Sequence, residues 1–182
     1  MFHIFKTLLA RDPFSSSLDL PKAKFPMTKT RRIFTLLLRL LAMGATLAAT
    51  IIMVTSHDSA EVLNLTFEAK YSNESTFKYF VIAEAVASGY SLIVLFISSK
   101  SLLRHLVMIL DVVITTVLSS SVSAAMAIAH VGKKGNSHAG WLPICGLVHK
   151  FCNQVTGALI AGFIAAIIYL VLLLYTLHTV YI

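Results

Sequence analysis

The chain contains 182 residues, of which 57% are hydrophobic and 13% are charged, and its mean hydropathy is +0.82. Soluble domains carry about 25% charged residues, so this composition excludes an ordinary soluble domain and indicates a protein that crosses the membrane several times. The formal charge of +7 does not point to nucleic acid, because the basic residues cluster beside apolar segments, as topology signals do.

Residues 1–32 are predicted to form a disordered cytosolic tail. This segment contains three prolines and a run of three serines. It has too little apolar surface to offset the entropy that ordering would cost. The opening apolar stretch is short and a polar segment follows it, so we predict no cleavable signal peptide.

Four apolar segments are candidates to cross a bilayer as helices, which takes about 20 residues each. We predict an all-α membrane domain over residues 33–182, built as an antiparallel bundle of four transmembrane helices. The predicted spans are residues 33–54, 80–97, 102–129 and 155–177, the two loops on one side are 55–79 and 130–154, and a tight turn lies around 98–105 on the other.

Lysine and arginine residues near the ends of the spans predict the orientation, because cytosolic segments carry an excess of them. The loop 130–154 has only Lys133, Lys134 and Lys150. Both termini are therefore predicted to be cytosolic, and both loops to lie outside. The basic residues that support this orientation are Lys6, Arg11, Lys22, Lys24, Lys29, Arg31, Arg32, Lys100 and Arg104.

The loop 55–79 contains two acceptor sequences for N-glycosylation, Asn64-Leu65-Thr66 and Asn73-Glu74-Ser75. Both agree with a luminal loop and predict a glycoprotein. Asn73 lies close to the second span, so Asn64 is the expected acceptor. A mobility shift on glycosidase treatment would detect the sugar.

Small or polar residues recur at helical spacing in every span, and such faces allow close helix contacts in lipid. We expect each of these stripes to face the bundle centre. The stripes are Arg39, Thr46 and Thr50; Glu84, Ser88 and Ser91; Asp111, Thr115, Ser119 and Ser123; and Ala158, Gly162, Ala165 and Tyr169.

Asp111 is a carboxylate inside an apolar span, where ionisable groups are costly and usually have a partner. At 1.5 Å per residue, Arg39 and Asp111 both lie roughly 8–9 Å from the cytosolic ends of their spans. Glu84 enters from the opposite side, on the order of 15 Å from Arg39, and is interpreted as reaching headgroups or water. Depth therefore selects Arg39 and Asp111 as a structural ion pair that sets helix register.

Cys145 and Cys152 lie in the loop 130–154, on the predicted oxidising side. In one straight helix their Cα atoms would be about 10 Å apart, beyond the usual 4.4–6.8 Å of a disulfide. Pro143 and Gly146 permit a bend, so a disulfide and two buried thiols are both compatible with the sequence.

No nucleophile paired with a base, phosphate-binding glycine loop or metal-ligand spacing is evident in the sequence. We therefore predict no enzyme, no catalytic residue, no metal and no cofactor. The leading interpretation is a membrane scaffold that self-associates laterally. The alternative is a small ion channel or transporter that uses Arg39 and Asp111, which would need a continuous polar path.

Two blocks carry a family resemblance, FEAKYSNESTFKYFVIAEAVASGYSLIVLF and GNSHAGWLPICGLVHKFCNQVTGALIAGFIAAIIYLVL. With an arginine in span one and an aspartate in span three, they resemble the Casparian strip membrane domain protein family, in its CASP-like branch from plants. The resemblance implies a four-helix plasma-membrane protein, distantly similar to MARVEL proteins, that forms homo- and hetero-oligomers with related four-span proteins. In that family the arginine and aspartate are hallmark positions, here Arg39 and Asp111.

One departure from the family narrows the expected function. Members that build the root diffusion barrier carry a Phe- and Gln-rich signature in the first outer loop, which NLTFEAKYSNESTFKYF lacks. The resemblance therefore implies a scaffold that organises membrane domains, with extracellular cell-wall enzymes as candidate partners, rather than a barrier protein.

Overall fold

The computed structural model of the protein describes residues 29–62, 65–96 and 101–181. Each of its four long helices contains an apolar stretch long enough to cross a membrane. The predicted all-α class and the four-helix membrane bundle are confirmed. The helices are α1 (Lys29–Val54), α2 (Ser75–Phe96), α3 (Ser101–Lys134) and α4 (His149–Tyr181).

The helix bounds differ from the predicted spans mainly at the end of the bundle that carries the two long loops. There α2 begins at Ser75 instead of at residue 80, α3 continues to Lys134, and α4 begins at His149. The stretches long enough and apolar enough to cross a membrane extend to these ends as well, as Ser75–Phe96, Leu106–Lys134 and His149–His178. Residues 1–28 of the predicted tail lie outside the described residues, and α1 already begins at Lys29.

The four helices form a square in which α1 and α3 are diagonal. Helix α1 packs against α2 and α4, and α3 packs against the same two helices. Over the described residues, α1 and α3 do not pack closely against each other. A side-chain contact between α1 and α3 therefore has to cross the bundle centre.

Two buried apolar clusters fill the bundle, one above the other. In the cluster nearer the two long loops, the residues come from the C-terminal half of one helix and the N-terminal half of the next. Successive helices therefore run in opposite directions. We call the end that bears the loops the loop end, and the end with Lys29 and Tyr181 the terminal end. The loop-end cluster contains Ala49, Met53, Phe77, Phe80, Val122, Ala125, Val148, Phe151, Val155, Ala158 and Leu159, and the terminal-end cluster contains Ala42, Ala87, Ile114, Leu118, Ala166, Tyr169 and Leu172.

The connection between α1 and α2 contains a β-hairpin that the sequence analysis did not predict. Strands β1 (His57–Val62) and β2 (Leu65–Lys70) are antiparallel, with His57 opposite Lys70 and Val62 opposite Leu65. The sequence LTFEAK alternates apolar and polar residues, which is the period of a strand. That short alternation is the sequence feature from which strand β2 could have been predicted.

The connection between α3 and α4 begins with a sharp reversal at Gly135. Its φ of +70° is left-handed, and a Cβ there would lie 2.7 Å from the Trp141 carbonyl oxygen, so glycine is required. Asn136 and Trp141 form an isolated β-bridge, and the Asn136 side chain accepts hydrogen bonds from the backbone N–H groups of His138 and Ala139. The chain is thereby held close to the end of α3.

Candidate functional site

The structure places Arg39 and Asp111 in a buried ion pair. Arg39 Nη2 lies 2.7 Å from Asp111 Oδ2, and the two side chains are 5% and 0% exposed. Because Arg39 is on α1 and Asp111 on α3, the pair joins the two diagonal helices through the bundle interior. Removal of either group would leave the other charge buried without compensation.

Tyr90 of α2 completes this centre, which we call the ion-pair centre (Arg39, Tyr90 and Asp111). The Tyr90 hydroxyl donates to Asp111 Oδ1 at 2.7 Å, and the Val107 carbonyl oxygen lies 3.0 Å from the same hydroxyl. The Arg39 guanidinium carbon lies 5.7 Å from the centroid of the Tyr90 ring, a cation–π contact. Three helices therefore meet at one charged site.

The sequence analysis missed Tyr90, although the depth argument could have found it. Tyr90 lies six residues before Phe96, where α2 ends at the terminal end. At 1.5 Å per residue this is about 9 Å along the helix, which matches the roughly 8–9 Å assigned to Arg39 and Asp111. A tyrosine hydroxyl is uncharged, so a comparison of charged residues alone does not reveal it.

A second polar contact ties α2 to α4 within the terminal-end cluster. The fully buried Tyr169 hydroxyl donates to the Ala87 carbonyl oxygen at 2.7 Å and lies 2.5 Å from Ser91 Oγ. Since the single tyrosine proton goes to the carbonyl, Ser91 is the donor in the second bond. Tyr169 and Ser91 both lie on predicted stripes, and both face the interior.

Glu84 was interpreted as reaching headgroups or water, and that interpretation is wrong. Its side chain is 0% exposed, between Phe80 of the loop-end cluster and Ala87 of the terminal-end cluster. The error came from the predicted start of the span. Because α2 begins at Ser75, Glu84 lies about 14 Å along the helix instead of about 6 Å.

Both carboxylate oxygens of Glu84 lack a hydrogen-bond partner among the described residues. The side chain is accommodated by Gly162 of α4, where a Cβ would lie 2.7 Å from Glu84 Oε1 and 2.7 Å from the Phe80 ring. The small residue at this position in the α4 stripe therefore makes room for a buried carboxyl group and a ring.

The predicted stripe faces the centre all along α4. In α1 and α2 it is buried except at the half-buried Thr50 and Ser88, whereas in α3 only its first half is buried. Asp111 and Thr115 are buried, whereas Ser119 and Ser123 are exposed on the bundle surface. A step of four residues turns a helix by about 400°, so the stripe drifts about 40° at each step and about 120° by Ser123. The inward face of α3 instead continues through Leu118, Ser121, Val122 and Ala125.

Cys145 and Cys152 are joined by a disulfide, with their Cα atoms 5.7 Å apart. The straight-helix geometry that opposed this bond does not apply, because α4 begins only at His149 and residues 145–147 form a turn. Pro143 and Gly146 lie at this bend. The disulfide fastens the loop to the first turn of α4.

Of the two predicted glycosylation sites, only Asn73 belongs to the described residues, and Asn64 lies outside them. Asn73 is exposed, and its Nδ2 donates to the Glu68 carbonyl oxygen at 2.8 Å. That bond occupies the amide nitrogen that would carry a sugar.

Nearby, Lys70 lowers the pKa of Glu68 through a 2.6 Å hydrogen bond and its positive charge.

A cavity of about 970 Å³ lies between the hairpin and the α3–α4 connection at the loop end. Its walls are mainly apolar, and charged groups from the α1–α2 connection and from the end of α3 line the rest. Representative lining residues are Phe77, Ile128, Trp141 and Ile144 on the apolar side and Glu74 and Lys133 on the charged side.

Comparison with known proteins places this architecture in a family. Residues 28–168 match the family model described as the Casparian strip membrane protein domain. The chain belongs to this family. The match includes the ion-pair centre, Glu84, Gly162 and the disulfide.

Relatives in the CASP-like group match over most of their length. "CASP-like protein 1C1" of Vitis vinifera is 65% identical over 85% of this chain and 97% of its own, and "CASP-like protein 1C2" of Ricinus communis is 62% identical over 82% and 92%. "CASP-like protein 1C1" of Arabidopsis thaliana is 60% identical over 83% and 92%. No solved structure matches the chain.

These comparisons and the four apolar helices make the chain a multi-pass membrane protein of the Casparian strip family. The names of its relatives describe membrane proteins and not a known enzyme family. In a CASP-like protein, the ion-pair centre is suited to holding helices together, because its charges are enclosed by packed side chains.

Proposed function

We propose that this CASP-like protein is a non-enzymatic scaffold of the plasma membrane. It assembles laterally, with copies of itself and with related four-span proteins, and thereby organises membrane domains. The observation that carries the proposal is the ion pair of Arg39 and Asp111, whose side chains are 5% and 0% exposed. Such a pair stabilises one arrangement of diagonal helices and leaves the outer faces of the bundle free for assembly.

The packing of the interior supports a structural role. Leu118, Tyr169 and Leu172 are fully buried in the cluster next to the ion-pair centre. Ion conduction requires water or a series of ligands around the moving ion. Here the charged groups have apolar side chains and aromatic rings around them, an environment that favours a fixed salt bridge.

The surface of the helices offers places for lateral contact. Gly44 of α1, Gly89 of α2 and Gly157 of α4 have no described atom within 4 Å of the position where a Cβ would stand. In lipid, helices associate through small residues that allow close backbone approach. We infer that neighbouring copies, or related proteins, pack at such positions.

The proposal also includes the orientation of the protein in the membrane and the class of its partners. The excess of lysine and arginine in the N-terminal segment supports cytosolic termini, with the loop end outside the cell. The hairpin between α1 and α2 is then available to extracellular proteins. Cell-wall enzymes are the partner class that the family resemblance favours.

The scaffold role can be tested by cross-linking in native membranes, together with imaging and photobleaching of a fluorescent fusion. We expect cross-linked oligomers, a patched distribution and slow lateral exchange. Asp111→Asn should reduce all three, whereas Glu74→Gln, which changes an exposed acid, should not. An evenly spread, freely diffusing wild-type monomer would contradict the proposal.

The alternative remains a small ion channel or transporter. The specific observation in its favour is the partnerless state of both Glu84 oxygens within the described chain, close to the bundle axis. Ion flux through purified protein in liposomes would favour this alternative if it is lost in Glu84→Gln and in Asp111→Asn while circular dichroism shows intact helices, and is retained in Glu74→Gln.

A further inference from the structure

The connection between α3 and α4 exposes several large apolar side chains outside the helices. They lie in residues 141–147, which we call the apolar turn. Trp141 is 57% exposed, Leu142 83%, Ile144 48% and Leu147 59%. In water such a group would form a contiguous unfavourable surface, so it needs a partner that covers it.

The height of the apolar turn follows from an aromatic contact. Helix α2 has 22 residues and is about 33 Å long, close to the roughly 30 Å hydrocarbon core of a bilayer. The first turn of α2 therefore lies at the edge of the hydrocarbon. Phe77 in that turn has its ring centroid 6.3 Å from that of Phe151, so Phe151 of α4 lies at the same edge.

The disulfide holds the apolar turn just above this level. Cys152 follows Phe151, and the Cα of Cys145 lies 5.7 Å from that of Cys152. The backbone N–H groups of Ile144 and Cys145 also donate to the Gly132 carbonyl oxygen, at 3.0 and 3.3 Å. Cys145, in the middle of the apolar turn, is thus within about 6 Å of Cys152 beside the hydrocarbon edge, a distance that matches a headgroup layer roughly 5–8 Å thick.

The charges around the apolar turn match a phospholipid surface. Residues 130–154 contain Lys133, Lys134 and Lys150 but no aspartate or glutamate. The cavity beside the turn adds Lys70 and two acids, Glu68 and Glu74, so lysines outnumber acids there by four to two. Lysines can reach lipid phosphates while their stems cover apolar surface, and tryptophan is enriched at membrane interfaces. A basic rim around exposed Trp, Leu and Ile is the composition of an interfacial anchor.

We propose that the apolar turn is inserted into the headgroup layer of the leaflet at the loop end. Its ligands are phospholipids, whose phosphates meet the lysines and whose upper acyl chains cover Trp141, Leu142 and Leu147. The disulfide is the device that holds the turn at that depth. This proposal depends on the four membrane spans but not on the scaffold role.

Trp141 is the only tryptophan in the sequence, so its fluorescence reports the depth of the apolar turn directly. The full chain is placed, one copy per disc, in phosphatidylcholine nanodiscs whose acyl chains carry bromine either near the carbonyl or near the terminal methyl. We expect stronger quenching by the shallow bromines, and protection from aqueous iodide relative to free N-acetyltryptophanamide.

Two variants calibrate and test this measurement. In the depth control, Trp141→Phe combined with Phe163→Trp places tryptophan about 18 Å further along α4 than Phe151, and the deep bromines should quench it most. In the test variant, Cys145→Ser combined with Cys152→Ser should lose shallow quenching and gain iodide quenching. Circular dichroism establishes that the helices of both are intact.

Three results would overturn the proposal. One is iodide quenching of wild-type Trp141 as strong as that of the free analogue, without lipid quenching. Another is protection that appears only in discs with several copies, which would identify a second copy as the partner. The third is unchanged depth in the cysteine variant with helices intact, which would refute the positioning by the disulfide. Loss of oligomers or patches would leave the depth measurement unaffected.

Discussion

Asp111 and Glu84 are both fully buried carboxylates in membrane-spanning helices, yet their surroundings differ. Asp111 receives hydrogen bonds from Arg39 and Tyr90, one on each oxygen. Glu84 accepts no hydrogen bond from any described residue and packs against Phe80 and Gly162. Both oxygens of Asp111 thus have a partner, although Arg39 Nη1 has none among the described residues, whereas neither oxygen of Glu84 has one and its neighbours are apolar.

This difference teaches that burial alone does not identify the group that stabilises the bundle. A buried acid with partners strengthens one packing arrangement, whereas a buried acid without partners weakens the packing around it. Substitutions at the two positions should therefore change stability in opposite directions. The following predictions test that contrast.

The largest effect is expected at Asp111. Asp111→Asn keeps the shape of the side chain but leaves the Arg39 charge without a counter-charge, which costs about 3–5 kcal/mol of unfolding free energy. The measurement is the unfolding free energy in bilayer discs, with Glu74→Gln as the matched surface control. Equal stability of Asp111→Asn and the control would contradict the ion-pair account.

A smaller loss is expected at Tyr90. Tyr90→Phe keeps the ring beside Arg39 but removes a hydrogen bond to a charged acceptor, at a cost of about 1.5–3 kcal/mol. Ser91→Ala removes only the hydrogen bond between the neutral hydroxyls of Ser91 and Tyr169 and should cost less, about 0.5–1.5 kcal/mol. Thermal unfolding of both variants, side by side, checks the order. A reversed order would show that the ion-pair centre is not the stronger of the two polar contacts.

A gain in stability is expected at Glu84. Glu84→Met fills a similar volume with an apolar chain and removes the cost of a carboxyl group without a partner among the described residues, about 1–3 kcal/mol. Unfolding of this variant should require more heat than unfolding of the wild type. A clear loss of stability would reveal that Glu84 has a partner in the assembled protein and would remove the contrast with Asp111.

Almost no effect is expected at the exposed pair of Glu68 and Lys70. The pKa of Glu68 is lowered by Lys70, so the pair stabilises the fold above the ordinary glutamate pKa and loses that contribution as the pH falls through the lowered value. Both groups are exposed, and solvent screens their attraction. Melting temperatures of Glu68→Gln and wild type should agree at pH 7 and at acidic pH, and a large difference would contradict the exposed geometry.

The fold could be predicted from the sequence because hydropathy reports burial in lipid directly. The ends of the helices could not, since α2, α3 and α4 extend further at the loop end than the spans predicted from apolar runs. Because the start of α2 was predicted at residue 80, Glu84 was predicted to lie near the membrane surface instead of in the interior. A single boundary therefore changed the interpretation of a buried acid.

At the ion-pair centre, depth alone selected Arg39 and Asp111, which the structure brings to 2.7 Å. Tyr90 was missed because only charged partners were compared. Ser119 and Ser123 were placed inward because steps of four residues were treated as one face, although a helix has 3.6 residues per turn. The disulfide could not be derived, since it depends on where α4 begins.

The most direct test of the central claim, that Arg39 and Asp111 hold the bundle in register, is a double-mutant cycle measured by unfolding in bilayer discs. Arg39→Leu and Asp111→Leu are each expected to lose about 3–5 kcal/mol, because each leaves one buried charge unpaired. The double variant should recover most of that stability and retain its oligomers, since an apolar pair replaces the ion pair. Additive losses in the double variant would show that the two residues are not coupled and would contradict the account.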